Sequence, residues 1–308
     1  MAAHFKRKES VEKAVRRVGY KRISKALKSL KHCEQAEAIH SVRKQIKQVR
    51  GLLQLVRPSL KKKARHRLAK RLRQAAHHLA PMRDAQVNAT ALNSLTRHCK
   101  QQVAPATFRN LKVLLETRLE VEAKHFNKTS QPGKVKKLFR RLGREVREVK
   151  VSGKSWKVIE PGLKDTYSNG LMGLRTARRR PSSENLHEWR KRAKDLWYQV
   201  RFLRGIWPEQ MDAVASELRQ LTEALGDGHD LEMLHQSVCR RDRSGASEKG
   251  LQLLARLIKQ RQAELRTSAL ELGAHFYSEK SGSFCQRLRS YWQTWRGEAS
   301  KSPVKIRV

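Results

Sequence analysis

The stretches IHSVRKQIK (39–47) and LHEWRKRAK (186–194) share the pattern His-x-x-Arg-Lys-x-x-Lys at an offset of 147 residues. Their apolar positions coincide as well, and a proline follows each stretch. At 3.6 residues per turn, the apolar positions fall on one side of a helix and the His, Arg and Lys positions on the adjoining side. The two stretches therefore predict two related helices, each with a row of cations beside a core-facing side.

A second block repeats in the same order at an offset of 146 residues. The segment Leu79–Asp84 aligns with the segment Leu225–Asp230. Two blocks in one order and at nearly one offset indicate an internal repeat. We therefore predict two similar halves, 1–150 and 151–308.

Helical periodicity dominates the rest of the chain, and no segment alternates apolar and polar residues convincingly as a strand would. Clusters of Pro, Gly and Ser mark the breaks, and Gly226-Asp227-Gly228 is predicted to be a break or bend at a helix end. Short breaks between amphipathic helices favour antiparallel bundles, so the predicted fold class is all-α. Helices are predicted over 37–57, 61–79, 84–103, 108–126, 134–150, 184–206, 209–225, 230–241, 248–273 and 283–296.

The charge of the chain points to a polyanion. Its 308 residues include 69 Lys and Arg against 28 Asp and Glu, which gives a formal charge of +41. A folded protein this basic repels itself, and a polyanion relieves the repulsion. Charge alone does not choose among DNA, RNA, inorganic polyphosphate and an anionic membrane. Aromatic residues are only 6% of the chain, and proteins that stack on bases usually carry more of them.

The residue types in the two basic rows suit phosphate. Arg grips phosphate oxygens with a planar fork, Lys offers a mobile point charge, and a nearby phosphate favours protonated His. Without a partner, like charges along a helix face destabilise the helix. The candidate phosphate-binding residues in the basic rows and the second repeated block are His40, Arg43, Lys44, Lys47, Arg50, Arg73, Arg83, His187, Arg190, Lys191, Lys194, Arg201, Arg219 and His229.

No metal, cofactor or catalytic residue is predicted. The adjacent pairs His32-Cys33 and His98-Cys99 point in different directions on a helix, which disfavours a shared metal. Asp84 and Asp230 could hold a metal between phosphates, but ion pairing with Arg or Lys of the basic face is the favoured interpretation. Walker, nucleophile-elbow and zinc-protease motifs are all absent from the sequence.

No membrane segment is predicted. The basic N-terminus MAAHFKRKES has no apolar run behind it, and no stretch approaches the roughly 18 apolar residues that a membrane span needs. We expect a cytoplasmic protein whose four cysteines are reduced thiols.

The repeated stretches resemble the CHAD family, which is named for conserved histidines in an α-helical domain. The resemblance covers nearly the whole chain and rests on His40-x-x-Arg43-x-x-x-Lys47-x-x-Arg50, on its copy from His187, and on the blocks that end at Arg83-Asp84 and His229-Asp230. It implies two helical bundles related by a pseudo-two-fold axis, with the basic helices facing a central groove or pore. It also implies binding of inorganic polyphosphate and association with polyphosphate granules.

The chain departs from the family pattern at several positions. Lys44 and Lys191 stand where the family usually has an apolar residue. Gln48 and Asp195 stand where it often has a basic residue, and Trp197 stands where it often has Arg. Direct ligand contact by Trp197 is therefore not expected, and the two extra lysines offer compensating charge.

The family also occurs beside triphosphate-tunnel enzymes, whose strand signature Glu-x-Glu-x-Lys matches Glu120–Lys124 literally. The flanking periodicity predicts a helix, which would splay Glu120 and Glu122 apart by about 200°. We therefore predict a non-catalytic protein.

A nucleic-acid binder is the main alternative, because Trp197 and Tyr198 on the second basic helix could serve stacking. A scaffold for acidic proteins or anionic lipid is a third class.

Overall fold

The computed structural model describes residues 4–32, 36–103, 107–239 and 248–298. This part of the chain holds eleven α-helices and no strand, apart from one isolated bridge between Leu60 and Val151. The all-α prediction is confirmed. The helices are α1 (Val11–Ser29), α2 (Ala36–Leu55), α3 (Lys62–His78), α4 (Ala80–His98), α5 (Arg109–Lys128), α6 (Gln131–Arg147), α7 (Trp156–Arg179), α8 (Ser183–Phe202), α9 (Pro208–Cys239), α10 (Glu248–Phe276) and α11 (Ser281–Arg296).

Two helices, α1 and α7, are additional to those predicted. Ser10 is the N-cap of helix α1, since its side chain accepts a hydrogen bond from the backbone N–H of Lys13. Helix α7 contains Pro161 and three glycines, residues that disfavour an isolated helix. Both helices bury an apolar face in the core, and that packing outweighs the weak local propensity of α7.

The predicted break at Gly226-Asp227-Gly228 is wrong, because α9 runs through it without interruption. Glycine inside a helix costs about 1 kcal/mol relative to alanine but does not end it. Gly226 also has a packing role, since an added Cβ would lie 3.3 Å from Nε of Arg190. The missing side chain makes room for that guanidinium.

The two basic helices pack against each other through the core. The apolar face predicted for α2 is buried, and so are Trp189, Ala193, Leu196 and Val200 of α8. One hydrophobic cluster draws on residues from both predicted halves. The backbones of α2 and α8 approach closely at Gly51, where an added Cβ would lie 3.0 Å from Cβ of Tyr198. The basic rows therefore lie on adjacent helices, while the pseudo-two-fold relation stays a prediction.

The predicted boundary between the halves falls in the connection between α6 and α7. That connection is tied to the one between α2 and α3, since Ser152 N–H donates to the Ser59 carbonyl at 2.9 Å. None of the described helices is both long and apolar enough to cross a membrane.

Two of the four cysteines, Cys99 and Cys285, are buried free thiols, and burial raises the pKa of each. Cys33 and the side chains of His32 and Cys239 lie outside the described residues.

Gly162→Ala is expected to destabilise the fold strongly. Gly162 lets α7 approach the end of α2, and an added Cβ would lie 2.1 Å from the Leu55 carbonyl oxygen. Backbone atoms cannot give way cheaply, so we expect a loss of about 3 kcal/mol of unfolding free energy in urea titrations. Gly133→Ala in α6 is the control, because nothing lies within 4 Å of its added Cβ. Equal unfolding midpoints for the two variants would refute the close approach.

Candidate functional site

Lys47 of α2 lies within electrostatic range of four other cations where α2 packs against α8. We call the five the cation cluster: Arg43 and Lys47 of α2, Arg83 of α4, and Arg190 and Lys194 of α8. Lys47 is the best measure of their proximity. Burial lowers its pKa first, and the charges of the other four members lower it further, to about 7. A lysine with that pKa is about half-protonated near pH 7. The lowered pKa indicates that positive charge is crowded in the ligand-free cluster.

Lys194 repeats the behaviour of Lys47 on the second basic helix. Burial, followed by the charge of Arg190, lowers its pKa to about 8. Its Nζ lies 3.9 Å from the ring centroid of Trp197 and donates to Oγ1 of Thr222 at 3.3 Å. These contacts hold the ammonium in place beside Arg190.

The two cluster arginines of α2 and α8 have donors to spare. Nη1 of Arg43 donates to the Ala76 carbonyl at 3.1 Å. The Nε atoms of Arg43 and Arg190 are buried and have no hydrogen-bond partner within the described parts of the chain. Buried donors are normally satisfied, so two orphaned guanidinium N–H groups on residues within electrostatic range of each other are an anomaly that a bound anion would relieve.

His187 and His229 stack at the edge of the cluster, with ring centroids 4.0 Å apart. Burial is the main cause that lowers both pKa values to about 4. The second cause is the charge of His229 for His187, and the charge of Arg190 for His229. Both rings are therefore neutral at pH 7, and they line a cavity of about 150 Å³ between α8, α9 and α10. His40 of α2 has a lowered pKa too, from desolvation and then the charge of Arg83.

The two acids of the repeated block lie beside Arg83. Asp230 forms an ion pair with Arg83 at 3.8 Å. Asp84 lies within electrostatic range of Arg43 and Arg83, although burial raises its pKa overall. The ion pair fits the role favoured for Asp230, and ion pairing by Asp84 stays a prediction. Within the described residues, no three His, Cys, Asp or Glu side chains are grouped so that they could hold a metal.

Arg50 serves a structural contact. Its Nη2 and Nε donate to Oδ1 of Asp195 at 2.8 and 3.1 Å, and Asp195 is only 4% exposed. The family-atypical Asp195 thus ties α8 to α2. A free carboxylate at that depth would be costly, so Arg50 is committed to it in the ligand-free protein.

The remaining candidate cations lie outside the cluster. Lys191 pairs with Glu188 at 2.5 Å, and Arg219 pairs with Glu223 at 3.8 Å. Arg73 is exposed on α3. Lys44 and Arg201 are exposed near each other and extend the positive field beyond the cluster.

The unpredicted helix α1 adds two cations that no motif revealed, Arg22 and Lys25. Both lie within electrostatic range of Lys44, and burial followed by the charge of Arg201 lowers the pKa of Arg22. They could have been found only by recognising α1 as a helix.

The aromatic residues of α8 are already engaged. Nε1 of Trp197 donates to the Ala215 carbonyl at 3.0 Å, and Lys194 and Arg201 lie over its ring at 3.9 and 4.8 Å. Tyr198 is only 3% exposed. These contacts and the burial of Tyr198 disfavour stacking of a base on either ring.

The fold has solved counterparts. A crystal structure of the CHAD domain from the plant Ricinus communis matches with a TM-score of 0.69 and 16% identity, over 90% of this chain and 95% of that one. PptA from Streptomyces chartreusis matches with a TM-score of 0.60 and 13% identity, over 88% of this chain and 100% of that one. These likenesses show the fold alone. No curated protein sequence matches the chain.

The family resemblance expected from the sequence is confirmed. The family model of the CHAD domain matches residues 17–239, from helix α1 to the end of helix α9. This match spans more than half of the 308 residues, and the chain therefore belongs to the CHAD domain family.

Proposed function

We propose that this protein binds inorganic polyphosphate without catalysis, along the cation cluster between α2 and α8. The observation that carries the proposal is the crowding of five cations in one partly buried place. Such an arrangement is unfavourable unless an anion completes it. A linear polymer with a charge on every phosphate can contact both helices at once.

The chemistry of the cluster favours phosphate groups over other anions. The orphaned Nε atoms of Arg43 and Arg190 are donors that phosphate oxygens accept well. Lys47 and Lys194 supply point charges whose protonation a phosphate restores. The rings of His187 and His229 are neutral at pH 7, and each can donate one N–H to a phosphate chain that runs past Arg190.

The absence of turnover is part of the proposal. The segment Glu120–Lys124 lies inside α5, so the strand geometry of the triphosphate-tunnel signature is not formed there. The cluster consists of cations, and the neutral imidazoles of His187 and His229 lie at its edge. This arrangement is suited to holding an anion. Recruitment to polyphosphate granules would follow from binding alone, since a granule is a concentrated form of the ligand.

Nucleic acid is the competing polyanion, and the structure weakens one argument for it. Because two cations lie over the ring of Trp197 and Tyr198 is buried, base stacking on α8 is disfavoured. Nucleic acid would then have to bind through its backbone only, in competition with a ligand whose charge density is higher.

Competition between the polymers tests the proposal. In this assay, labelled long-chain polyphosphate is bound to the protein first. Unlabelled polyphosphate, single-stranded DNA and double-stranded DNA are then compared as competitors at equal phosphate concentration and near-physiological salt. We expect polyphosphate to compete at least about tenfold better, because the cluster offers charge contacts and no base contacts. If either DNA wins, the polyphosphate assignment fails.

A further inference from the structure

A second concentration of positive charge lies between α3 and α6, away from the motif helices. Each of these two helices carries seven Lys or Arg residues, and together they contain a single acid, Glu145. A cleft of about 530 Å³ runs between them. We call it the outer cleft; it is lined by Arg67, Lys70, Arg71, Gln74, His78, Lys134, Lys137, Leu138 and Arg141.

The outer cleft and the cation cluster share no residue. Helix α3 borders both sites, since Nη1 of Arg43 in the cluster donates to the Ala76 carbonyl of α3. Helix α3 turns its apolar residues Leu68, Leu72 and Ala75 into the core and its cleft residues toward α6. The two basic sites are therefore built from different side chains, although α3 borders both.

The floor of the outer cleft is preorganised. Glu145 of α6 accepts hydrogen bonds from Nε of Arg71 at 2.9 and 3.0 Å, and it pairs with Nε of Arg67 at 3.0 Å. One carboxylate thus holds two guanidinium groups of the neighbouring helix. Two arginines fixed by one acid keep a net positive charge and remaining N–H donors for a ligand.

The walls of the outer cleft are exposed cations in helical register. Lys134, Lys137 and Arg141 recur at the spacing that places them on one face of α6, and all three are exposed. Lys70 is exposed on the opposite wall. Like charges at this spacing repel along the helix, and a polyanion in the cleft relieves that repulsion.

The lining also defines the ligand. No aromatic ring other than the imidazole of His78 lines the cleft, so it has no platform for stacked bases. Its cations face each other across an elongated groove between two helices, which suits a chain of phosphates.

We propose that the outer cleft is a second binding site for a linear phosphate polymer, so that one protein molecule holds two polymer segments at once. This inference rests on the proposed function, because it assigns the same ligand to a second surface. A molecule with two such sites bridges separate polymer chains and condenses them, and it gains avidity when both sites hold one long chain.

The test uses a cleft variant with Lys70→Gln, Lys134→Gln, Lys137→Gln and Arg141→Gln in the full chain. Its matched control is Lys154→Gln, Lys157→Gln, Lys164→Gln and Arg175→Gln, which removes the same charge from exposed positions around α7. Circular dichroism and thermal midpoints verify that both variants fold. Calorimetric titration with short-chain polyphosphate measures how many chains one molecule binds and how tightly, and light scattering with long-chain polyphosphate measures bridging.

We expect the cleft variant to bind fewer short chains per molecule, with an affinity at the cluster within about threefold of that in the unmodified protein. It should scatter at least about fivefold less with long chains, because bridging needs both sites. The control variant should scatter like the unmodified protein. Equal scattering by the cleft variant and the unmodified protein, or equal losses in cleft variant and control, overturns the second site. Failure of the unmodified protein to bind short chains would instead defeat the proposed function, and this inference with it.

A footprint locates the second site directly. Polyphosphate should protect Lys70, Lys134 and Lys137 from an amine-reactive reagent, as measured by mass spectrometry, and should leave Lys154 and Lys164 reactive. Uniform protection of all five lysines would indicate diffuse adsorption and overturn the assignment of a cleft.

Discussion

Alanine at Arg43, Lys47, Arg190 and Lys194 together is expected to weaken long-chain polyphosphate binding by on the order of 10³-fold at near-physiological salt. Each residue offers a charge-assisted contact in a partly buried place, where such contacts are stronger than at an open surface. The affinity measured by fluorescence anisotropy should also depend less steeply on salt, since fewer counterions are released on binding.

The matched control removes four lysines that lie outside both basic sites. Lys61, Lys62, Lys150 and Lys249 are exposed, and their replacement by alanine removes the same number of charges. We expect a loss of about tenfold or less, because exposed and screened charges contribute little each. Equal losses in the two variants would mean that diffuse charge binds the polymer and that the cluster is not a site.

The four-alanine variant should keep its fold. The replaced cations repel one another in the ligand-free protein, so their removal relieves strain and should leave the thermal midpoint unchanged or higher. Arg190→Lys gives a finer measurement, since it keeps the charge and removes the planar fork that packs against Gly226. A weakened Arg190→Lys variant with an unchanged midpoint would show that fork geometry contributes to binding.

The repeated motif was sufficient to predict which cations lie beside the buried faces of α2 and α8. Ile39, Val42 and Trp189 mark the buried sides of α2 and α8, and the cations beside them follow from the helical period. The adjacency of the two helices required the resemblance to a family, because no local pattern specifies which helices pack together.

The remaining features depend on contacts between distant residues. In the sequence, Arg50 resembles the other cations of its row. Only the fold shows that it donates hydrogen bonds to Asp195 of α8. Gly226 looks like a helix breaker, and only the packing of Arg190 against it explains a glycine inside a helix. Pro161 likewise makes α7 hard to predict from the sequence, because burial in the fold overrides the low local helix propensity.

Polyphosphate affinity is expected to fall by on the order of 10²-fold between pH 7 and pH 9, because binding needs protons that the free cluster releases in this range. In the ligand-free protein the pKa of Lys47 is about 7 and that of Lys194 is about 8. Bound phosphate raises both toward the ordinary lysine value, so binding above pH 7 takes up protons. Calorimetry in buffers of different ionisation enthalpy measures this uptake, to which His187 and His229, with pKa values of about 4, add nothing.

The same two lysines should give the stability of the ligand-free protein a pH dependence of the opposite sign. Between pH 7 and pH 9 the unfolded chain keeps both protonated while the native state loses their protons, so this contribution to unfolding free energy rises with pH. A variant with Lys47→Met and Lys194→Met should bind weakly at pH 7 and lose most of the pH dependence of both quantities. An affinity that stays constant from pH 7 to pH 9 in the unmodified protein would show that the two lysines are not desolvated at the site. If affinity and stability instead fell together with rising pH, general unfolding would be the cause, because a crowded cation cluster alone moves the two in opposite directions.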